Sequence, residues 1–212
     1  MKKWTRVMYQ PNRPLKEGCY VTASKEHIAL SREAAAEGMV LLKNEHKLLP
    51  LKAGSRIALF GKGSFDYVKG GGGSGDVTVS YVHNLYDGFQ MLRDAVPLYE
   101  PLCDFYRANV NEQYDQGSVP GMTTEPALSA GLLAGASAYT DTAVIVLSRF
   151  SGEGWDRSSI EYNGEYNPWE TETSMPKISG EIFPDGDFYL TKEESAMIAQ
   201  VKQHFSRIAV VL

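Results

Sequence analysis

One run of five consecutive apolar residues, 143–147 (AVIVL), constrains the fold of this 212-residue chain more than any other feature. The run is far too short to cross a bilayer, which takes roughly 20 apolar residues. An uninterrupted apolar run of this length is typical of a strand that is buried on both faces, as in parallel sheets. The sequence therefore predicts an α/β domain in which helices cover both sides of a mainly parallel sheet.

Other segments fit that arrangement. Apolar runs at 56–60 and 208–212 predict two further strands. Apolar residues at helical spacing predict four helices, which begin after Ser24, near Leu85, at about residue 127 and after Thr191. The pattern of the first helix continues to Leu42, and Thr191 with Glu194 predicts a capping box at the start of the fourth. Because the last strand pattern stops without a turn or a polar tail, we predict an α/β/α sandwich that is truncated at its C-terminal end.

The predicted domain follows an arm. Residues 1–24 are polar, interrupted by proline and without a helical or strand period, so we predict an N-terminal arm over 1–24. The incomplete sandwich domain is predicted over 25–212. Within it, residues 158–188 are rich in tyrosine and proline and predict a long irregular loop.

Composition and charge exclude several classes of function. The chain has 21 basic and 26 acidic residues and a formal charge of -5, which provides no cationic surface for nucleic acid or for an anionic membrane. Neither a membrane-length apolar run nor a signal peptide is evident, so we predict a cytoplasmic protein without nucleic-acid or membrane partners. The two cysteines form no C-x-x-C pair and the four histidines do not cluster, so we expect no metal and no cofactor.

Two loops follow predicted strands at the edge of the sheet where open α/β sheets bind their ligands. The first loop, 61–76, contains the run GGGGSGD. It satisfies G-x-G-x-x-G in form but does not lead into a helix, so a phosphate-binding loop is not predicted. Consecutive glycines allow the backbone to approach a ligand closely, which makes Gly73 and Ser74 candidates for binding. A flexible surface loop is an equally good interpretation.

The second loop, 148–157 (SRFSGEGWDR), follows the most strongly predicted strand. Glu153 lies between two glycines, which suits a carboxylic acid that must come close to a ligand. Trp155 offers an aromatic face to a sugar ring, and Arg149 offers hydrogen-bond donors. The alternative is an ion-paired surface turn without a role in binding.

These loops, together with an earlier segment, resemble the α/β sandwich domain of family 3 glycoside hydrolases, the β-glucosidase group. Residues 32–45 (REAAAEGMVLLKNE) resemble the opening of that domain, residues 72–75 resemble its glycine loop, and residues 147–157 resemble its acid/base loop. The resemblance extends from about residue 27 to residue 212.

The resemblance implies a retaining β-glucosidase that hydrolyses terminal β-linked glucosyl residues. In that family the aspartate nucleophile belongs to a (β/α) barrel, which nothing in this sequence resembles, and the general acid/base corresponds to Glu153. Ser74 and Gly73 would lie near the non-reducing sugar, with Trp155 and Arg149 at the rim. The expected partners are a β-glucoside or oligosaccharide and the barrel domain of the same full-length protein, placed after the sandwich. The chain alone is expected to be inactive, and the alternative function is a non-catalytic carbohydrate-binding or interaction module.

Overall fold

A computed structural model of the chain describes residues 15–17, 19–20, 24–69, 79, 81–151 and 174–212. The chain divides into two compact units, Met1–Glu45 and His46–Leu212. In the first unit, strand β1 (Leu15–Lys16) pairs antiparallel with strand β2 (Cys19–Tyr20). This hairpin has no signal in the sequence, because two-residue strands are too short to produce an alternating pattern, and the N-terminal arm over 1–24 stays a prediction.

Helix α1 of the first unit spans Lys25–Glu37. Ser24 caps it as predicted, because the Ser24 side chain accepts a hydrogen bond from the backbone N–H of His27. The helix ends before Gly38, whereas the apolar pattern predicted that it continues to Leu42. Glycine is a poor helix former, and the apolar residues 39–42 that follow it are exposed.

The second unit contains a three-stranded parallel sheet with the order β3-β4-β5 and five helices among the residues described. The strands are β3 (Ala58–Phe60), β4 (Thr142–Val146) and β5 (Arg207–Val211). The helices are α2 (Leu85–Met91), α3 (Glu100–Asp115), α4 (Ala130–Tyr139), α5 (Ser174–Ile182) and α6 (Lys192–His204). In the described part of the chain, no helix has both the length and the apolar character needed to cross a membrane.

Every residue of β4 is buried, as its apolar run predicts. On one face of the sheet, Ala143 and Ile145 pack in a core to which α3, α4 and α6 contribute. On the other face, Val144 and Val146 pack in a core that includes residues of α2. Helices therefore lie on both faces of a parallel sheet, and the predicted α/β/α architecture is confirmed.

The sequence did not predict two of these helices. Helix α3 has Pro101 in its first turn and buries residues at helical spacing, namely Leu102, Cys103, Tyr106 and Val110. Helix α5 lies inside the stretch 158–188, so the prediction of an irregular loop is wrong for residues 174–182. Pro176 falls in the first turn of α5. A helix tolerates proline there, because the backbone N–H groups of a first turn have no hydrogen-bond partner within the helix.

The turn after β3 depends on Gly61. Its φ is 95°, in the region that favours glycine, and a Cβ there would lie 2.1 Å from the backbone carbonyl oxygen of Val146. A 3₁₀ turn, Lys62–Ser64, follows directly. Only a residue without a side chain allows the backbone after β3 to lie this close to β4.

We predict that Gly61→Ala lowers the free energy of unfolding more than Gly54→Ala does. Gly54 also has a positive φ, 85°, but nothing lies within 4 Å of the position of its Cβ. Gly54→Ala should therefore lower the free energy of unfolding only through backbone strain, by about 1–2 kcal/mol. At Gly61 a steric clash with Val146 adds to the same strain. Urea unfolding of both variants and the wild type measures the difference, and equal losses would contradict this account of the turn.

Candidate functional site

The structure describes the first part of each predicted site loop, residues 61–69 and residues 148–151. These two segments, called here the first stem and the second stem, lie side by side at the carboxyl edge of the sheet. A Cβ on Gly63, in the first stem, would lie 2.8 Å from Oγ of Ser148, in the second. A Cβ on Gly121, in the loop before α4, would lie 2.7 Å from Cβ of Phe150. Three chain segments therefore meet at this edge, and glycines provide the space for their contact.

Of the five predicted site residues, the structure describes Arg149. Gly73, Ser74, Glu153 and Trp155 lie outside the described residues, and their roles stay predictions. The described stems reach residue 69 before the glycine loop and residue 151 before the acid/base segment. The geometry of the site is therefore built from these stems and from the side chains that hold them.

The first stem buries a lysine directly after β3. Lys62 is 4% exposed, and its ammonium donates hydrogen bonds to Oδ2 of Asp66 at 3.2 Å and to the carbonyl oxygen of Gly121 at 3.3 Å. Asp66 in turn accepts hydrogen bonds from the hydroxyls of Tyr114 and Thr123 and from the backbone N–H of Gly121. The carboxylate of Asp66 thereby joins the stem to α3 and to the loop before α4.

The two charges of this pair depend on each other. Burial lowers the pKa of Lys62, and the charge of Asp66 and its hydrogen bond offset part of that effect. Burial by itself would raise the pKa of Asp66, but the ammonium of Lys62 and the hydrogen bonds from Thr123 and Tyr114 outweigh it, so this pKa is lowered. The carboxylate is therefore held in its ionised form beside the lysine.

A second carboxyl group, Glu125, holds the backbone of the same stem. Its Oε2 accepts a hydrogen bond from the backbone N–H of Lys62 at 2.9 Å, and its Oε1 accepts one from the hydroxyl of Tyr106 at 2.7 Å. Burial raises the pKa of Glu125, and the negative charge of Glu194 adds to the rise. The hydrogen bonds from Lys62 and Tyr106 lower it, but the raising effects are larger.

This raised pKa predicts how Glu125→Gln changes stability with pH. The unfolded carboxyl titrates near 4.5 and the folded one at higher pH, so between these values the folded state keeps a proton that the unfolded state has lost. The wild type therefore loses stability as pH rises through that window. A glutamine cannot titrate. The free energy of unfolding of Glu125→Gln, measured relative to the wild type, should rise from below pH 4.5 to neutral pH.

Denaturant unfolding at a series of pH values tests this prediction. Glu112→Gln, on the exposed side of α3, serves as the control. A difference between Glu125→Gln and the wild type that stays constant across the series would contradict the raised pKa.

The second stem is held by Arg149. Its Nε donates to the carbonyl oxygen of Asp187 at 2.6 Å, its Nη1 to that of Ser148 at 2.9 Å, and its Nη2 to that of Tyr189 at 2.8 Å. Both terminal nitrogens also donate to Glu194, at 2.7 Å to Oε1 and at 2.8 Å to Oε2. These five bonds account for all five N–H groups of a guanidinium. Contact between Arg149 and a sugar stays a prediction.

Glu194 has two structural roles. The predicted capping box of α6 is confirmed, because Thr191 N–H donates to Glu194 Oε2 at 2.9 Å and Glu194 N–H donates to Thr191 Oγ1 at 3.1 Å. The same carboxylate forms the ion pair with Arg149. The side chains of Arg149 and Glu194 are 17% and 4% exposed, so this pair is largely removed from water.

The buried polar residues of the two stems were missed by sequence reasoning. One local signal was present, because Lys62 and Asp66 are four residues apart directly after a buried strand, the spacing of an ion pair on one turn. The partners of these residues are remote in the chain: Tyr114 is 48 residues from Asp66, and Glu125 is 63 residues from Lys62. No local pattern could have connected them.

The fold and the site define a class: layered α/β domains with a parallel sheet whose loops gather at the carboxyl edge, where such domains bind ligands. The sequence model of the glycosyl hydrolase family 3 C-terminal domain matches residues 39–212. The chain belongs to this family, and the resemblance identified from its motifs is confirmed. The family match begins at residue 39, and the second compact unit begins at residue 46. The domain boundary predicted after residue 24 stays a prediction.

Two curated relatives are beta-glucosidases of bacteria. The chain is 52% identical over 213 residues to beta-glucosidase A of Butyrivibrio fibrisolvens and 29% identical over 193 residues to a beta-glucosidase of Ruminococcus albus. The first match covers 100% of this chain and 25% of the relative, and the second covers 88% and 18%. The chain thus spans a quarter or less of the length of these relatives.

Two solved structures with the same fold are also beta-glucosidases. Beta-glucosidase 3B of Thermotoga neapolitana, in complex with alpha-D-glucose, has a TM-score of 0.69 and 30% identity, and the match covers 88% of this chain and 24% of that chain. A beta-glucosidase of Paenibacillus barengoltzii has a TM-score of 0.67 and 28% identity, with coverage of 88% and 18%.

Proposed function

We propose that this chain is part of a retaining β-glucosidase and that it supplies the general acid/base, Glu153. One observation carries the proposal. The residues that lead into Glu153, 148–151, begin two residues after the buried strand β4, and Ser148 lies against Gly63 in the stem of the glycine loop. A catalytic carboxyl needs a rigid support of this kind, because its geometry must be held within about 0.5 Å. Family membership and the beta-glucosidases among its relatives support the same function.

In this proposal the reaction proceeds through a covalent glycosyl-enzyme intermediate. An aspartate of the barrel attacks the anomeric carbon while Glu153 protonates the departing oxygen, and Glu153 then takes a proton from the water that releases the sugar. The two carboxyl groups must lie about 5–5.5 Å apart. Because the chain spans a quarter or less of its relatives, the barrel would belong to the remainder of the polypeptide.

The remaining predicted residues have supporting roles in this proposal. Ser74 and Gly73 contact the non-reducing sugar through a backbone that can approach it closely. Trp155 packs against the sugar at the rim of the site. Protonation near neutral pH requires that burial under the substrate and the charge of the nucleophile raise the pKa of Glu153. The chain without a barrel supplies neither and is expected to be inactive.

The proposal predicts that Glu153→Gln acts according to the leaving group. In the complete polypeptide, kcat/KM for phenyl β-glucoside should fall by about 10²–10⁴, the usual contribution of general acid catalysis. For 2,4-dinitrophenyl β-glucoside kcat/KM should change little, because dinitrophenolate departs without protonation. Steady-state kinetics with both substrates gives the two ratios.

A second measurement tests the base role of the same residue. Azide needs no general base, so it should restore turnover of the dinitrophenyl substrate by Glu153→Ala and give β-glucosyl azide, whose retained configuration is read by NMR. Equal losses on the two substrates, or no azide product, would show that Glu153 is not the acid/base.

A further inference from the structure

We propose that Arg149 and Glu194 position the catalytic loop, and that Arg149 acts through this ion pair and not as a ligand of the sugar. The proposal rests on the proposed role of Glu153. It is based on three groups that lie together: the guanidinium of Arg149, whose N–H groups are all hydrogen-bonded, the carboxylate of Glu194 in the first turn of α6, and the first residues after β4.

The guanidinium is fixed in its own plane by acceptors from three places in the chain. Ser148 lies in the stem that follows β4, Asp187 and Tyr189 belong to the segment before α6, and Glu194 belongs to the first turn of α6. A planar group with five fixed donors can hold these segments in one relative orientation only. A flexible ammonium with three donors could not.

The guanidinium is also fixed on one of its faces. Its carbon lies 4.3 Å from the centre of the Phe183 ring, which is itself 4% exposed. A sugar hydroxyl could bind Arg149 only by displacing an acceptor from this arrangement. The residue therefore behaves as part of the framework.

Glu194 carries the link from the loop to the helix. Its Oε2 accepts from both Arg149 and the backbone N–H of Thr191, so one oxygen joins the two. The positive end of the helix dipole favours the carboxylate at this position. The stem of the loop is thereby fixed to a helix whose Met197 and Val201 are buried in the core.

A general acid must be held at a fixed position relative to the oxygen that it protonates. Arg149 precedes Glu153 by four residues. A displacement of about 1 Å at a reacting group can lower a rate by about 10²-fold. A loosened stem should therefore impair proton transfer more than sugar binding.

The experiment uses Arg149→Lys and Glu194→Gln in the complete polypeptide. The first keeps the positive charge but loses the bidentate fork, and the second keeps an acceptor for the Thr191 cap but loses the carboxylate. For phenyl β-glucoside, kcat/KM should fall by about 10–100-fold. For 2,4-dinitrophenyl β-glucoside the fall should be less than about threefold, because that substrate does not use the acid.

Matched controls separate position from stability. Glu193→Gln changes the exposed neighbour of Glu194 in the same helical turn, and Arg107→Lys changes an arginine whose pair with Asp104 is exposed. Both should leave the two kcat/KM values unchanged. For Arg149→Ala, low millimolar guanidinium should restore the rate with phenyl β-glucoside, which a general loss of folding would not allow.

The outcomes separate this proposal from the proposed function. If Glu153→Gln discriminates between the two substrates but folded Arg149→Lys and Glu194→Gln affect both equally or not at all, the positioning role is wrong. If Glu153→Gln itself does not discriminate, the acid/base role is wrong. Discrimination by all three variants, with guanidinium rescue, supports both.

Discussion

Strand β4 can exist only with both faces and both edges covered, because all five of its residues are buried. β3 and β5 pair with its backbone in parallel, and the two apolar cores cover its faces. In parallel strands the chain leaves every strand at the same edge of the sheet, the carboxyl edge. The residues after β3 and after β4 must therefore begin as neighbours, and the close approach of Gly61 to Val146 is the direct result.

At that edge two cations are largely removed from water, the buried Lys62 in the first loop and the partly buried Arg149 in the second. Lys62 is neutralised by Asp66, and Arg149 is neutralised by Glu194. An intact buried pair adds little net stability, but removal of one partner costs about 3–5 kcal/mol. These pairs therefore fix the conformations of the two stems more than they stabilise the fold. Tyr106 contributes in the same way, because burial keeps its pKa well above 10.0 and so keeps its hydroxyl protonated as the donor to Glu125.

Local patterns were sufficient for the elements that depend on nearby residues. The apolar run predicted β4, and Thr191 with Glu194 predicted the start of α6. Helix α3 had a readable stripe at Leu102, Tyr106 and Val110, but the polar residues between them obscured it. Helix α5 was missed because Pro176 was taken as a sign of a loop, although proline is tolerated in a first turn.

The site was less predictable than the fold, for a physical reason. A buried charge is identified by what surrounds it, and the partners of Asp66 and Arg149 that come from other segments are 38 to 57 residues away in the chain. The capping role of Glu194 could be predicted because its partner is three residues away. Its pairing with Arg149 could not, because folding alone brings the two together.

Gly61, Gly63 and Gly121 leave no space for a methyl group where the loops begin. A side chain added at any of these three positions would therefore displace Val146, Ser148 or Phe150 before it changed a ligand contact of the loops. The backbone at the base of the loops is therefore fixed by close packing, and changes of sequence are tolerated better in the residues that it supports.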